Sequence, residues 1–301
     1  MSFPIVIEND YDYLKKLTLE FKKYLAWIGD HYNDCYDNIC EITNNVIESI
    51  QLYYDSDILG ATQKIKEAIT ENMSIKVISK IETLYNNRLF KARVIEDEDG
   101  LSHEDMLHIP FSLRNIVKSQ RFSLYGTPCI YLASSSYACW LELNKPQDST
   151  FYVSAYKIDD SLQFFDLTCA TWEQLEQYVS EKRKIEEIKN ELYTFPLIIA
   201  TSFKVKKNNS ATFHSEYIVS QLLMSIIVNS VYCFKNKIDG ILYYSKKLSD
   251  DKSFFPINIC VAIPAKHSEN MKYTSDINCF KWTDAMCIRD YTFINWIFYF
   301  G

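Results

Sequence analysis

The chain has 301 residues, 48% hydrophobic and 24% charged, which excludes global disorder and supplies apolar mass for a sizeable core. Lys and Arg total 32 against 39 Asp and Glu, a formal charge of -7, so the summed field repels phosphate backbones and no direct nucleic-acid binding is expected. No run reaches the roughly 18 uninterrupted apolar residues of a spanning helix, and MSFPIVIENDYDY lacks the basic start and cleavage site of a secretion signal. No membrane contact and a cytoplasmic location are the expectations.

From about residue 9 to 85 the text reads as helices, with apolar positions three and four apart in Tyr13, Leu14, Leu17, Leu19, Phe21, Leu25 and Trp27, and again from Ile39 to Tyr53. Gly29-Asp30 ends the first helix, and Asp55-Ser-Asp caps a segment that begins near Asp57. After Asn86-Asn87 the period changes to short apolar runs, so residues 1–88 form a small helical domain and 89–301 a second one.

Candidate strands follow at Leu89–Val94, Cys129–Ala133, Phe151–Ile158, Leu162–Leu167, Leu197–Phe203, Gly240–Tyr244 and Asn258–Ile263. The acidic run Glu96 to Gly100 reads as a solvated loop, Trp172–Leu192 as a helix with one charged face, and Glu216–Val231 as a buried helix. Strands mixed irregularly with helices give an α+β class. The aromatic strip Tyr291–Phe300 is expected to pack back on the body. With only 6 glycines, Gly126 and Gly240 stand out as positions where a side chain is not tolerated. The 9 cysteines never form CxxC and the 5 histidines do not cluster, so reduced thiols and no metal site are expected.

The densest unusual text is Arg121-Phe-Ser-Leu-Tyr-Gly-Thr-Pro-Cys-Ile-Tyr-Leu-Ala133, followed by Cys139-Trp-Leu-Glu-Leu143. The Gly-Thr-Pro turn returns Arg121 to the mouth of the Cys129–Ala133 strand. A helix with a serine cap then carries Glu142 in apolar company. A carboxylate there is either paired or functional. One reading is an Arg–Glu ion pair between turn and helix. The other is a dinucleotide site in which Arg holds a diphosphate, Tyr stacks on a heterocycle and Glu faces positive charge on a ribose.

The string from Leu89 to Leu143, with Phe90-Lys-Ala-Arg93, His108-Ile-Pro110, Gln120-Arg-Phe-Ser123, Gly126-Thr-Pro128, Tyr131-Leu-Ala133 and Glu142, resembles the RES domain family. Ala200-Thr-Ser-Phe203, Glu216 to Leu223 and Asp239-Gly-Ile-Leu-Tyr-Tyr-Ser245 resemble its second half in the same order, except that Ser220 stands where longer members commonly have proline. The resemblance covers about residues 88 to 265.

It implies an ADP-ribosyltransferase-like core, a mixed or antiparallel sheet with flanking helices, and a bacterial toxin of a toxin–antitoxin pair that destroys NAD. By the same match Arg121, Glu142 and Ser245 are the catalytic set, while Tyr131 and Arg93 bind the NAD substrate. For Ser245 a plain strand-end serine bonding backbone is the alternative. No cofactor is implied beyond NAD as substrate, with inorganic phosphate as a co-substrate giving ADP-ribose-1″-phosphate. Water would make the chain an NAD glycohydrolase and a macromolecule would make it an ADP-ribosyltransferase. A catalytically silent NAD or ADP-ribose sensor is the remaining alternative.

An Xre-like antitoxin and a homodimer are the implied partners. Residues 1–88 resemble a HEPN-like extension but lack the Arg and His at short spacing that HEPN nucleases use. A regulatory, oligomerisation or substrate-gating module is the expectation there.

Overall fold

The computed structural model describes residues 5–6, 13–70, 88–96, 101–205, 213–228, 237–246, 259–269 and 271–288. In chain order the elements are β1 (Ile5–Val6), α1 (Tyr13–His31), α2 (Tyr36–Tyr54), α3 (Ile58–Thr70), β2 (Leu89–Val94), β3 (Cys129–Ala133), α4 (Ser136–Glu142), β4 (Phe151–Ile158), β5 (Phe164–Asp166), α5 (Trp172–Ser180), α6 (Ile185–Thr201), β6 (Phe203–Lys204), α7 (Ile218–Val228), β7 (Gly240–Tyr244), β8 (Ile259–Pro264), β9 (Phe280–Trp282) and β10 (Met286–Cys287). The α+β class follows directly. Among the described residues no helix is long and apolar enough to cross a membrane. Residues 71–85, 97–100, 229–231 and 291–300, on which parts of the sequence reading fall, lie outside the described residues.

Contacts divide the chain into two compact units, Met1–Val77 with Ser119–Phe122 and Asp166–Ile238, and Ile78–Lys118 with Ser123–Phe165 and Asp239–Gly301. The change of period near residue 88 marks where helices give way to strands. The packing partition is different, because α5, α6 and α7 join the N-terminal helices.

In the first unit, α1 buries Tyr13, Leu17, Phe21, Tyr24 and Ile28, spaced three and four apart on one stripe. Full burial of such side chains contributes about 1.5–3 kcal/mol each. The α2 stripe of Ile39, Ile42, Val46 and Ile50 is buried likewise. Asp57 caps α3, its Oδ1 accepting from Gly60 N at 2.8 Å. Trp27, Trp172 and Phe195 gather around the Tyr24 ring, their centroids 5.1–6.4 Å from it.

Two expectations are corrected in this unit. The single helix over Trp172–Leu192 is two, because α5 ends in a Schellman motif. Lys182 N bonds Val179 O, Arg183 N bonds Tyr178 O, and Lys182 takes φ 54°. The strand read at Leu197–Phe203 is the last turn of α6 followed by β6. A short apolar run serves a buried helix as well as a strand, and α6 continues through Pro196. Proline removes the amide that would bond the carbonyl four residues back, and that carbonyl, Leu192 O, accepts the Tyr24 hydroxyl of α1 at 2.8 Å.

The second unit is built on an eight-stranded sheet in the order β10-β4-β2-β3-β8-β7-β5, with β9 also on β4. The β2–β4, β2–β3, β3–β8 and β7–β8 pairs are antiparallel. Alternation sends Ile130, Leu132, Leu242, Ile259, Val261 and Ile263 into one buried core with Leu89 and Tyr156. The same register places Tyr131 beside Ala262, Ala262 beside Ile241, and Cys260 between Ala133 and Tyr243 on the opposite face. Gly126, at φ 72°, closes the turn before β3, with Thr127 N bonding Leu124 O at 3.1 Å.

Candidate active site

Glu142 ends α4, a seven-residue helix fixed at both ends. Ser135 caps it, Oγ accepting from Ala138 N at 3.0 Å. The exit is a second Schellman motif, in which Asn144 N bonds Leu141 O, Lys145 N bonds Trp140 O, and Asn144 stands at φ 66°. Trp140 Nε1 donates to Pro146 O at 2.9 Å and secures the loop beyond. The helix end therefore fixes the backbone from which the Glu142 side chain extends.

Ser245 immediately follows β7 and is 4% exposed. Its hydroxyl donates to Glu142 Oε1, joining two side chains 103 residues apart. The alternative of a serine bonding only backbone is thus set aside for the side chain itself. Tyr131 lies on the strand face opposite the apolar core, and continued alternation from Ile241 and Tyr243 carries Ser245 to that same face. The Tyr131 hydroxyl donates to Ser123 Oγ at 3.1 Å, which orients the ring.

Two buried thiols lie near Glu142, Cys260 on this face and Cys139 on α4. Cys139 Sγ points to Phe90 O at 3.3 Å. Burial pushes the Cys139 thiol up to about 12, opposed by Lys91 and reinforced by Glu142. Burial lifts the Cys260 thiol as well, with the Glu142 carboxylate adding to the rise. Both are protonated and unreactive at neutral pH, so they act as walls, not nucleophiles.

Arg93 does not join this group. By alternation it shares the face of Leu89 and Tyr156, and its Nη2 donates to Leu107 O at 3.0 Å. Its strand neighbour on that face, Lys91, was quoted in the sequence motif without a role. Burial pulls the half-buried Lys91 ammonium down to about 8, with Arg93 adding like-charge repulsion. The signal available in the sequence was a lysine where the alternation asks for an apolar residue.

The folded-state value lies below the ordinary 10.5, so between pH 8 and 10.5 the unfolded chain binds more protons and stability rises with pH. Below pH 8 the full penalty is present. Lys91→Met is expected to raise the melting temperature by about 2–6 °C at pH 7, a gain that closes toward pH 10.5; thermal scans across that range check it.

Arg121 belongs to the helical unit. Nη1 donates to Thr201 O at 2.9 Å and Nη2 to Phe203 O at 2.8 Å, and the guanidinium carbon sits 5.1 Å from the Tyr217 ring centroid. These two bonds use two of the five N–H groups of a guanidinium. Gln221 braces the same loop, Nε2 donating to Ser119 Oγ at 2.8 Å and Gln120 O at 2.9 Å. Among the described residues no group of three or more His, Cys, Asp or Glu is placed to hold a metal ion.

No family model matches the chain. It is similar to the protein named "Putative toxin YopC" of Bacillus subtilis (strain 168), 30% identical over 220 residues, covering 68% of this chain and 48% of that relative. The chain thus spans about half the length of the curated relative it matches. Among solved structures it is similar to the M. tuberculosis MbcT-MbcA toxin–antitoxin complex, with a TM-score of 0.33 and 9% identity over 67% of this chain and 85% of that one.

Proposed function

We propose that the chain is a toxin that consumes NAD by breaking the nicotinamide–ribose bond. The observation that carries this reading is the Ser245–Glu142 hydrogen bond on the Tyr131 face of the sheet. Those three residues are picked out by the RES resemblance, and the likeness to a protein named as a toxin supports the same class.

The chemistry asks little proton transfer of the protein. Nicotinamide leaves as a neutral ring carrying the electron pair of the broken C–N bond, and the ribose carbon becomes oxocarbenium-like. Glu142 then offers a fixed negative charge to that carbon, a field already oriented before the reaction starts. Ser245 holds the carboxylate in its orientation, and Tyr131 offers a flat face to the nicotinamide ring. Arg121 takes the diphosphate by the resemblance, with its remaining N–H groups as donors. Arg93 is left to support the β2 end.

In the favoured form an oxygen of inorganic phosphate supplies the lone pair for the new bond to the ribose carbon, giving ADP-ribose-1″-phosphate. The test is to incubate purified protein with NAD, with and without phosphate, and to resolve the products. Phosphate-dependent nicotinamide release with ADP-ribose-1″-phosphate is the expected result. ADP-ribose in both arms would replace phosphorolysis by hydrolysis, and unconsumed NAD would reject the enzyme reading. An Xre-like antitoxin that closes the site belongs to the same proposal.

A further inference from the structure

Four consecutive carbonyls where α6 passes into β6 are each taken by a donor distant in sequence. Ala200 O accepts the Tyr13 hydroxyl at 3.0 Å, Thr201 O accepts Arg121 Nη1 at 2.9 Å, Ser202 O accepts the Ile5 amide at 3.2 Å, and Phe203 O accepts Arg121 Nη2 at 2.8 Å. The last carbonyls of a helix have no partner within it, so Ala200 O and Thr201 O need outside donors. Here two belong to the N-terminal arm and two to one guanidinium, in alternation.

The arm also touches the run through packing. The β1 and β6 strands pair in parallel, with Ile5 opposite Phe203. The Tyr13 ring meets Phe203 edge-on, centroids 5.0 Å apart at 86°. Burial raises the Tyr13 phenol and Arg121 opposes that rise, so the hydroxyl stays a donor while feeling the guanidinium charge.

We propose that the N-terminal arm positions Arg121, with Tyr13 and the Ile5 amide as positioning groups that fix the carbonyl run on which the guanidinium rests. This rests on the reading of Arg121 as the diphosphate ligand of NAD, and it gives the N-terminal segment a supporting role in that site. Two carbonyls fix the plane of a guanidinium and with it the directions of its other N–H groups. If the run is free to turn, those groups turn with it.

The test uses the full chain and two matched variants. Tyr13→Phe removes the hydroxyl at Ala200 O and keeps the ring. Tyr24→Phe removes the same group three helical turns along α1, at Leu192 O, where no Arg121 contact exists among the described residues. Tyr13→Phe is expected to raise KM for NAD about fivefold or more with kcat within about twofold, while Tyr24→Phe lowers the melting temperature and leaves KM unchanged. An unchanged KM in Tyr13→Phe, or equal KM shifts in both variants, overturns the inference.

Should the wild-type chain consume no NAD, the enzymatic reading falls by itself. The support of Arg121 is then decided by the melting temperatures of Tyr13→Phe, Arg121→Ala and the double variant. A double variant that loses clearly less than the sum of the two supports shared dependence on the run, and strictly additive losses overturn it.

Discussion

Glu142→Gln is expected to cut nicotinamide release from NAD by about 10²–10³-fold while the protein keeps its melting temperature. Glutamine matches glutamate in size and keeps a carbonyl oxygen for the Ser245 hydroxyl, so the α4 exit and the cross-sheet contact persist. What disappears is the negative charge aimed at the ribose carbon, and that charge matters only as the carbon becomes cationic. The loss therefore falls on kcat, with KM for NAD nearly unchanged.

Ser245→Ala belongs to the same argument with a smaller effect. It frees the carboxylate to rotate without removing its charge, so about a tenfold loss is expected. Because the two side chains act as one unit, the double variant should be little worse than Glu142→Gln alone. Single-turnover nicotinamide release on the purified variants reads all three values. Undiminished turnover in Glu142→Gln would remove that residue from the chemistry.

The parts of the fold legible in the sequence were those with local causes. The strands Leu89–Val94, Cys129–Ala133, Phe151–Ile158 and Gly240–Tyr244 have the residue ranges expected of them, because short apolar runs bounded by turn residues set them. The serine cap before Glu142 was legible for the same reason. The Schellman exits at Lys182 and Asn144 were not, since neither position carries the glycine that advertises a left-handed residue. Nor was the fate of Pro196, which leaves Leu192 O without an amide donor, a carbonyl that Tyr24 satisfies from 168 residues away.

The site divides along the same line. Residue types around Glu142 permitted an ion pair or a dinucleotide pocket, and only the resemblance pointed to Ser245 as a companion. Their hydrogen bond depends on the register of β3, β8 and β7, which no local pattern encodes. The Arg121 partners lie 80 and 82 residues away, on a segment that the sequence reads as a strand. Long-range carbonyl acceptors leave no signature in composition.

Gly240→Ala is expected to destabilise the fold by about 2–4 kcal/mol, although alanine suits a strand better than glycine by backbone propensity. A Cβ built at Gly240 would lie 2.4 Å from Ala262 O and 3.2 Å from two ring carbons of Phe164. The first contact is with backbone in the paired strand β8, which cannot withdraw without opening the β7–β8 ladder. The ring of Phe164 is 1% exposed and packed in the core, so it has nowhere to move either. The scarcity of glycine singled this position out, and the cause is close approach, since no left-handed φ is recorded there. Urea unfolding measures the loss as a lower midpoint. Because Ser245 immediately follows the far end of the same strand, five residues from Gly240, NAD turnover in the surviving folded fraction should fall as well. A midpoint equal to that of the wild type would mean that β7 and β8 separate at their start without cost, and the register that brings Ser245 to Glu142 would lose its anchor.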